Sequence, residues 1–311
     1  MSSTNASATS SPSNPATVTG ASLAHGLSQI FFQKNVWTGL LILAAFVVAD
    51  WQMALLVAIG TVVSTTVGYL MRAGSDNVAL GMQGFNGALL GAAVFTAMGG
   101  QGWSYLATVV GAALCGPVTW FFGWLFARPA LARFSLPSTT APFCTVAGIV
   151  YAATTSLHES GSDQHFTDGT GESVLRSLLT NVSEVVLVNS VWAGGLILLG
   201  LFIASWQVGL AAAMGSVIGS LCALALGESS ETIAEGLAGY SGVLTAIALA
   251  VVFLRSSTAS WIYGAVGAAV TAVVTLLMND ATSFPHYTWP YILTTWVLLV
   301  VAAYVPVLRR P

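Results

Sequence analysis

The sequence predicts an all-α polytopic membrane protein made of two inverted repeats of about five transmembrane segments each, with broken or half-spanning pore helices. Three observations support this prediction: a scarcity of charge, long uncharged runs and an internal repeat. The 311 residues include only 8 Lys+Arg and 11 Asp+Glu, whereas 56% are apolar. A soluble protein of this size could not cover its surface with so few charges. The composition therefore excludes a soluble enzyme, and the net charge of −3 argues against nucleic acid as a partner.

The uncharged runs give the number of hydrophobic segments. Residues 77–127 hold no charge over 51 positions, and residues 185–227 hold none over 43. The longer run would measure about 75 Å as one helix, and a bilayer core is about 30 Å thick, so each run must cross at least twice. The whole chain divides into ten predicted segments: 36–50, 52–71, 78–98, 103–126, 137–157, 191–205, 207–227, 233–254, 257–279 and 286–307.

Polar stretches separate the predicted membrane regions. The N-terminus is rich in Ser, Thr, Ala, Asn and Pro and has neither the basic nor the apolar region of a signal peptide. A long polar interruption, rich in Gly, Ser and acidic residues, begins at His158. We therefore predict a disordered tail at 1–27, a first membrane repeat at 28–157, a polar linker at 158–182 and a second membrane repeat at 183–311.

The internal repeat appears when the chain is shifted by 155 residues. Residues 28–91 then align with residues 183–246 without a gap, and 20 of the 64 positions are identical. A second match, at a shift of 148, pairs LPSTTAPF (136–143) with FPHYTWPY (284–291). Because each half has an odd number of predicted crossings, the second half must be inverted relative to the first. Inverted repeats are typical of transport proteins whose pathway lies between the repeats.

The distribution of basic residues predicts the orientation. If the N-terminus is inside and the segments alternate, seven of the eight Lys and Arg residues fall on the inner side, and only Arg176 falls outside. This follows the positive-inside rule. We therefore expect a multi-pass protein of the cell (inner or plasma) membrane with both termini in the cytoplasm.

The titratable residues form no catalytic constellation, so we expect no enzyme activity and no cofactor. The four histidines lie outside the middle of the predicted segments. His158 and His165 share the polar linker with Asp163 and Asp168, a pattern that favours a solvated loop over a metal site.

Two pairs of polar residues occupy equivalent places in the repeats. Glu184 precedes an uncharged run and is the repeat counterpart of Gln29, which places a side-chain oxygen at the same position in each half. Thr140 and Thr288 each lie in a Pro-x-x-Thr-x-Pro stretch, where proline breaks the helix and frees backbone carbonyls. Such irregular backbone is tolerated at membrane depth only when it is buried or lines a cavity. The alternatives are interfacial helix-end residues for the first pair and capping threonines for the second.

A third pair combines glycine with aromatic residues. GFNG (84–87) matches GYSG (239–242), so Phe85 and Tyr240 follow equivalent glycines. Leu89 and Leu244 lie four residues later on the same helical face, as Phe32 lies three residues after Gln29. Acceptor oxygens beside flat rings suit a small, neutral, planar solute with several N–H donors, although the rings could equally serve helix packing alone.

With its doubled LPxxTxPF-type motif and GFNG-type block, the chain resembles the urea transporter family over residues 28–307. The resemblance implies a passive, channel-like facilitator of urea, embedded in a lipid bilayer as a homotrimer with one pore in each subunit. It implies the following pore-lining residues: Gln29, Phe32, Phe85, Leu89, Thr140, Glu184, Val185, Tyr240, Leu244 and Thr288. Tyr240 and Ser241 depart from the Phe and Asn usual in the family, and Phe284 and Tyr291 depart from the Leu and Phe of the motif.

Two functions follow from these observations. The first is passive transport of urea, supported by the doubled motifs and by the lack of charge deep in the segments. The alternative is an ion-coupled secondary transporter of a small polar solute that uses Glu184 as its coupling carboxylate.

Overall fold

The computed structural model describes residues 18–159 and 169–311, and all of the regular elements in these two ranges are helical. The first half contains α1 (Gly20–Ser28), α2 (Val36–Ala49), α3 (Trp51–Leu70), α4 (Ser75–Ala79), α5 (Phe85–Met98), α6 (Gly102–Phe126), α7 (Pro129–Ala132) and α8 (Ala141–Ala153). The second contains α9 (Thr170–Glu184), α10 (Val191–Ala204), α11 (Trp206–Ala225), α12 (Ser230–Ala234), α13 (Tyr240–Ile247), α14 (Thr258–Ala281) and α15 (Trp289–Ala302). The prediction of an all-α polytopic membrane protein is confirmed.

The two halves repeat the same succession of elements. Helices α2, α3 and α4 begin and end 155 residues before α10, α11 and α12, respectively. Helix α5 corresponds to α13, which continues as a π-helical turn over Ala248–Val252. Helices α8 and α15 begin 148 residues apart, immediately after the two threonines of the doubled motif. The alignment of the sequence with itself therefore corresponds to a repeat of helices.

The repeats begin earlier than the predicted boundaries of 28 and 183. Residues 20–27, expected in the tail, belong to α1, whose start is fixed by a capping box between Thr19 and Ser22. Much of the expected linker likewise belongs to α9, the counterpart of α1. Both helices present small residues to their neighbours, and such residues resemble a disordered segment in composition. Residues 1–17 of the expected tail and 160–168 of the linker lie outside the described residues.

Close packing explains two glycines that the repeats share. A Cβ atom on Gly39 of α2 would lie 2.0 Å from the carbonyl oxygen of Ala24 in α1, and a Cβ atom on Gly194 of α10 would lie 2.0 Å from that of Leu179 in α9. Only glycine permits these approaches, because real Cβ atoms essentially never come so near to backbone. The equal distances show that α1 packs on α2 as α9 packs on α10.

Hydrogen-bonded caps fix where the apolar helices begin. Asn35 accepts the N–H of Thr38 at 3.0 Å at the start of α2, and Ser190 accepts the N–H of Ala193 at 3.3 Å at the start of α10. Asp50, one of the few carboxylates, caps α3 by accepting the N–H of Gln52 at 2.6 Å. These caps satisfy backbone donors that would otherwise lack partners.

Helix length separates complete spans from the half-spanning helices that the sequence predicts. Among the described residues, only α3, α6, α11 and α14, with 20 to 25 residues, are long and apolar enough to span a bilayer alone. A fifth span is possible if residues 20–31 and α2, which meet at a bend of 77°, count as one broken span. The other apolar helices have 13 or 14 residues, or about 20 Å at 1.5 Å per residue. These lengths fit the predicted half-spanning helices.

Equivalent helices of the two halves contact each other. Thr38, near the start of α2, donates its hydroxyl to the carbonyl of Gly200, near the end of α10, at 2.7 Å. Trp296 of α15 donates its indole N–H at 2.8 Å to the carbonyl of Pro137, which precedes α8. The centre of the molecule is therefore an interface between the two repeats.

The loops that carry basic residues meet at one end of the molecule. The guanidinium of Arg310 donates to the carbonyls of Phe134 and Phe253. The N–H of Arg255 donates to the carbonyl of Arg309 at 2.7 Å. The C-terminus is thus joined to the loops before α8 and α14, both of which carry arginines.

Candidate functional site

The two threonines of the doubled motif meet at the interface between the repeats. Thr140 precedes α8 and Thr288 precedes α15, and their hydroxyl oxygens lie 2.6 Å apart, although 148 residues separate them in sequence. Each residue is only 3% exposed. Neither hydroxyl caps its own helix, so the alternative of simple capping threonines is wrong. The sulfur of Cys144 lies 3.1 Å from the Thr288 hydroxyl and completes a small polar cluster.

The residue before each threonine has the same left-handed backbone conformation. Thr139 and Tyr287 are equivalent residues and both have a φ of 47°, in the left-handed region. The prolines at the second positions of α8 and α15, Pro142 and Pro290, have no N–H to offer the carbonyls of these left-handed residues. Such turns leave acceptor oxygens beside the threonine pair.

In the first repeat, the side chain of Asn86 accepts a backbone N–H that would otherwise bond within the helix. Its Oδ1 accepts the N–H of Phe143 at 3.1 Å, the donor that a regular helix would direct to Thr139. The counterpart of Asn86 is Ser241, which is fully buried and whose hydroxyl has no partner. The shorter serine therefore does not reproduce the cap in the second repeat.

Phe32 belongs to a group of aromatic rings that includes Tyr291 of the doubled motif. Phe32 contacts Phe253 edge-to-face with ring centroids 5.4 Å apart, and its centroid is 6.1 Å from that of Tyr291. Phe32 has a φ of 62°, in the left-handed region, and its counterpart Leu187 has a φ of 64°. In each half, therefore, the backbone makes the same turn just after Gln29 or Glu184.

Phe85 and Tyr240 are the first residues of α5 and α13, and both are largely buried. Their surroundings differ in one bond: the hydroxyl of Tyr240 donates to the carbonyl of Tyr287 at 2.5 Å. Phenylalanine cannot make this bond. The site is therefore symmetric in its helices but not in its hydrogen bonds.

An open cavity of about 650 Å³, which we call the vestibule, lies beside this site. Its walls include Glu184, Leu187, Tyr240 and Tyr287, together with the carboxylates of Glu228 and Asp280. The basic residues that meet near Arg310 are not among its lining residues. The vestibule therefore belongs to an acidic end of the molecule.

Gln29 and Glu184 occupy equivalent positions but have different contacts. The amide of Gln29 donates to the carbonyl of Leu80 at 3.0 Å. A carboxylate has no N–H for such a bond, and Glu184 instead lies on the wall of the vestibule. The two residues therefore do not form one symmetric pair of ligands.

Three of the expected residues lie in the hydrophobic core. Leu89 is 0% exposed, and Leu244 and Val185 are each 1% exposed. None of these three lines the vestibule. Leu187, not Val185, is the counterpart of Phe32, and it does line the vestibule. Aligning the sequence with itself at the shift of 155 residues pairs Phe32 with Leu187, so the sequence was sufficient to identify this residue.

Tyr287, Tyr291 and Cys144 were also not among the expected residues. Tyr287 and Tyr291 lie in FPHYTWPY, and Cys144 follows LPSTTAPF directly. The motif predicted that this part of the chain contributes to the site, but nothing in the sequence indicated that the tyrosine side chains or the thiol would lie beside the two threonines.

The histidines and acidic residues do not gather into a metal site where the structure describes them. Within 18–159 and 169–311, no three His, Cys, Asp or Glu side chains are placed to hold one ion. His158 contacts the ring of Tyr151, with centroids 4.2 Å apart. His165, Asp163 and Asp168 lie outside the described residues.

Comparison with known proteins identifies one family over nearly the whole chain. The family model described as "UT: Urea transporter" matches residues 21–303. The chain is 28% identical over 291 residues to urea transporter 1 of Ovis aries, covering 88% of this chain and 75% of the relative. It is 28% identical over 304 residues to urea transporter 1 of Mus musculus, covering 93% and 78%. The matched region includes both halves of the helical repeat.

Proposed function

Because the chain belongs to the urea transporter family, we propose that it conducts urea passively, as a channel, along a pathway between its two repeats. The observation that most supports this proposal is the contact of 2.6 Å between the hydroxyls of Thr140 and Thr288. The solute passes beside this pair, since no space remains between the two oxygens. Each hydroxyl keeps acceptor capacity for an N–H group of urea.

The chemistry of the site suits a neutral solute. Urea gives up hydrogen bonds with water on entry, and the threonine hydroxyls and the backbone carbonyls before α8 and α15 replace them. The rings of Phe32, Phe85 and Tyr240 provide flat apolar walls for a planar molecule. The recorded hydrogen-bond partners of the threonine pair, which are each other and Cys144, carry no charge that would offset the loss of hydration of an ion.

The proposed lining follows the expected residues with one replacement. We assign the pathway to Leu187 in place of Val185, because Leu187 is the repeat counterpart of Phe32 and lines the vestibule. The other assignments are kept: Gln29, Phe32, Phe85, Leu89, Thr140, Glu184, Tyr240, Leu244 and Thr288.

We place the end that carries the arginines in the cytoplasm and the vestibule on the outer side of the cell membrane. The bonds of Arg310 to two other loops support this orientation, because basic residues concentrate on the inner side of membrane proteins. The inverted relation of the halves is supported by the contact between the start of α2 and the end of α10.

The homotrimer is also a proposal. Helix α6 is mostly uncovered and has an apolar exposed surface, which either lipid or neighbouring subunits must cover. Its most exposed apolar side chains are Trp103, Leu106, Val110, Trp120 and Phe121. Native mass spectrometry of the full chain in detergent should give three copies per particle, and a monomer would contradict the proposal.

Stopped-flow light scattering on proteoliposomes tests the proposed transport. Vesicles that contain the protein should equilibrate urea across the bilayer faster than protein-free vesicles in the absence of any ion gradient. Acetamide, formamide and water, measured on the same vesicles, define the selectivity. Equal rates of urea entry in the two kinds of vesicle would exclude the proposal.

Glu184 supports a second candidate, an ion-coupled transporter. Its carboxylate lines the vestibule, where it could take up a proton or sodium ion. Loss of uptake on addition of an uncoupler would favour this candidate over a channel.

A further inference from the structure

The Tyr287 carbonyl is one of two equivalent backbone acceptors before the motif threonines, and among the described residues it is the one that accepts a tyrosine hydroxyl. Its counterpart is the carbonyl of Thr139, since both residues precede the motif threonines in the same left-handed conformation. Pro142 and Pro290 remove the same donor near each carbonyl. In the first repeat Asn86 takes the next backbone donor, that of Phe143, so the Thr139 oxygen loses both of its helical partners.

In the second repeat, the Tyr287 oxygen accepts the hydroxyl of Tyr240 at 2.5 Å. Tyr240 is 8% exposed and lines the vestibule together with Tyr287. The ring therefore sits against the pathway while its hydroxyl covers an acceptor of that pathway. Phe85, at the equivalent place, has no hydroxyl with which to cover the Thr139 oxygen.

We propose that Tyr240 determines specificity, because its hydroxyl takes up one of the two lone pairs of the Tyr287 carbonyl oxygen and so weakens this acceptor for the passing solute. This inference rests on the proposed function. Its chemical consequence depends on the number of N–H donors in the solute. Urea carries two amino groups and can use acceptors at both of its ends, whereas acetamide carries one. An acceptor weakened in one half of the pathway therefore penalises urea more than acetamide.

The repeat supplies a reciprocal pair of variants. Tyr240→Phe removes the hydroxyl and frees the Tyr287 oxygen, which makes the second half resemble the first. Phe85→Tyr adds a hydroxyl where it can reach the Thr139 oxygen, which makes the first half resemble the second. Both changes keep the aromatic ring, so a role in packing alone would leave solute selectivity unchanged.

The test measures entry of urea, acetamide and water into proteoliposomes that contain the full chain or either variant. Tyr240→Phe should raise the ratio of urea to acetamide permeability by about 2- to 10-fold, the effect of one net hydrogen bond. Phe85→Tyr should lower this ratio by a similar factor. Gel filtration before reconstitution confirms that each variant is folded.

The possible outcomes separate this inference from the proposed function. If the unmodified chain conducts urea but neither variant shifts the ratio, the role of Tyr240 is excluded while the proposed function stands. A shift in the same direction for both variants would also overturn the inference. If the unmodified chain conducts no urea, the proposed function fails, and the inference fails with it.

Discussion

The hydroxyl of Thr140 contacts that of Thr288 at 2.6 Å, so that two residues 148 positions apart form one polar centre. Helices α8 and α15 both begin at this centre. The contact joins equivalent points of the two repeats. In the proposed pathway between the repeats, a solute would meet this centre from either end.

Replacement of Thr140 by valine should slow urea entry, because it keeps the shape of the side chain and deletes an acceptor. We expect a reduction of about 2- to 10-fold, the effect of one net hydrogen bond, measured by stopped-flow light scattering. Thr145→Val is the matched control, since the Thr145 hydroxyl bonds the Ala141 carbonyl within α8. Unchanged urea entry in Thr140→Val would show that this hydroxyl does not contact the solute.

Asn86→Ala should destabilise the protein more than Ser241→Ala. Asn86 is buried and bonds the backbone of Phe143 at 3.1 Å, so its loss leaves a buried donor without a partner and costs about 1–3 kcal/mol. The hydroxyl of Ser241 has no hydrogen-bond partner, and its removal should be close to neutral. Thermal unfolding in detergent measures both. A larger loss of stability in Ser241→Ala would show that its hydroxyl has a role that these contacts do not explain.

Gly60→Ala should prevent correct packing of α3 on α5. A Cβ atom at this position would lie 2.0 Å from the carbonyl oxygen of Gly87, so the helices must separate. The yield of monodisperse protein in gel filtration should fall sharply. Gly195→Ala is the control, because no atom within 4 Å meets its Cβ atom and alanine favours a helix. Equal yields for the two variants would contradict the close approach of α3 and α5.

Glu184→Gln should leave urea entry nearly unchanged, because it preserves an acceptor oxygen and reproduces the Gln29 of the first repeat. An uncoupler should have no effect on either protein in the flux assay. Loss of entry in the variant, together with sensitivity to the uncoupler, would favour the ion-coupled alternative.

The helical repeat could be predicted because it depends on glycines and prolines, which few other residue types can replace at these positions. Gly39 and Gly194 are shared because carbonyl oxygens lie where a Cβ atom would be. Helices α8 and α15 begin just before Pro142 and Pro290, because proline is compatible with the first turn of a helix but not with its interior. Such steric rules act locally and are therefore visible in the sequence.

Contacts between distant residues could not be predicted in the same way. The small residues of α1 resemble those of a disordered tail, and only packing against α2 distinguishes them. The bond from Tyr240 to Tyr287 depends on how α13 lies beside the turn before α15. The missing cap at Ser241 depends on the length of one side chain in a buried space.

Passive transport is the central claim, and the final level of urea inside vesicles that contain the protein tests it most directly. Radiolabelled urea should enter proteoliposomes quickly and stop at the external concentration, whether or not a proton or sodium gradient is imposed. Accumulation above the external concentration when a gradient is applied would contradict a channel.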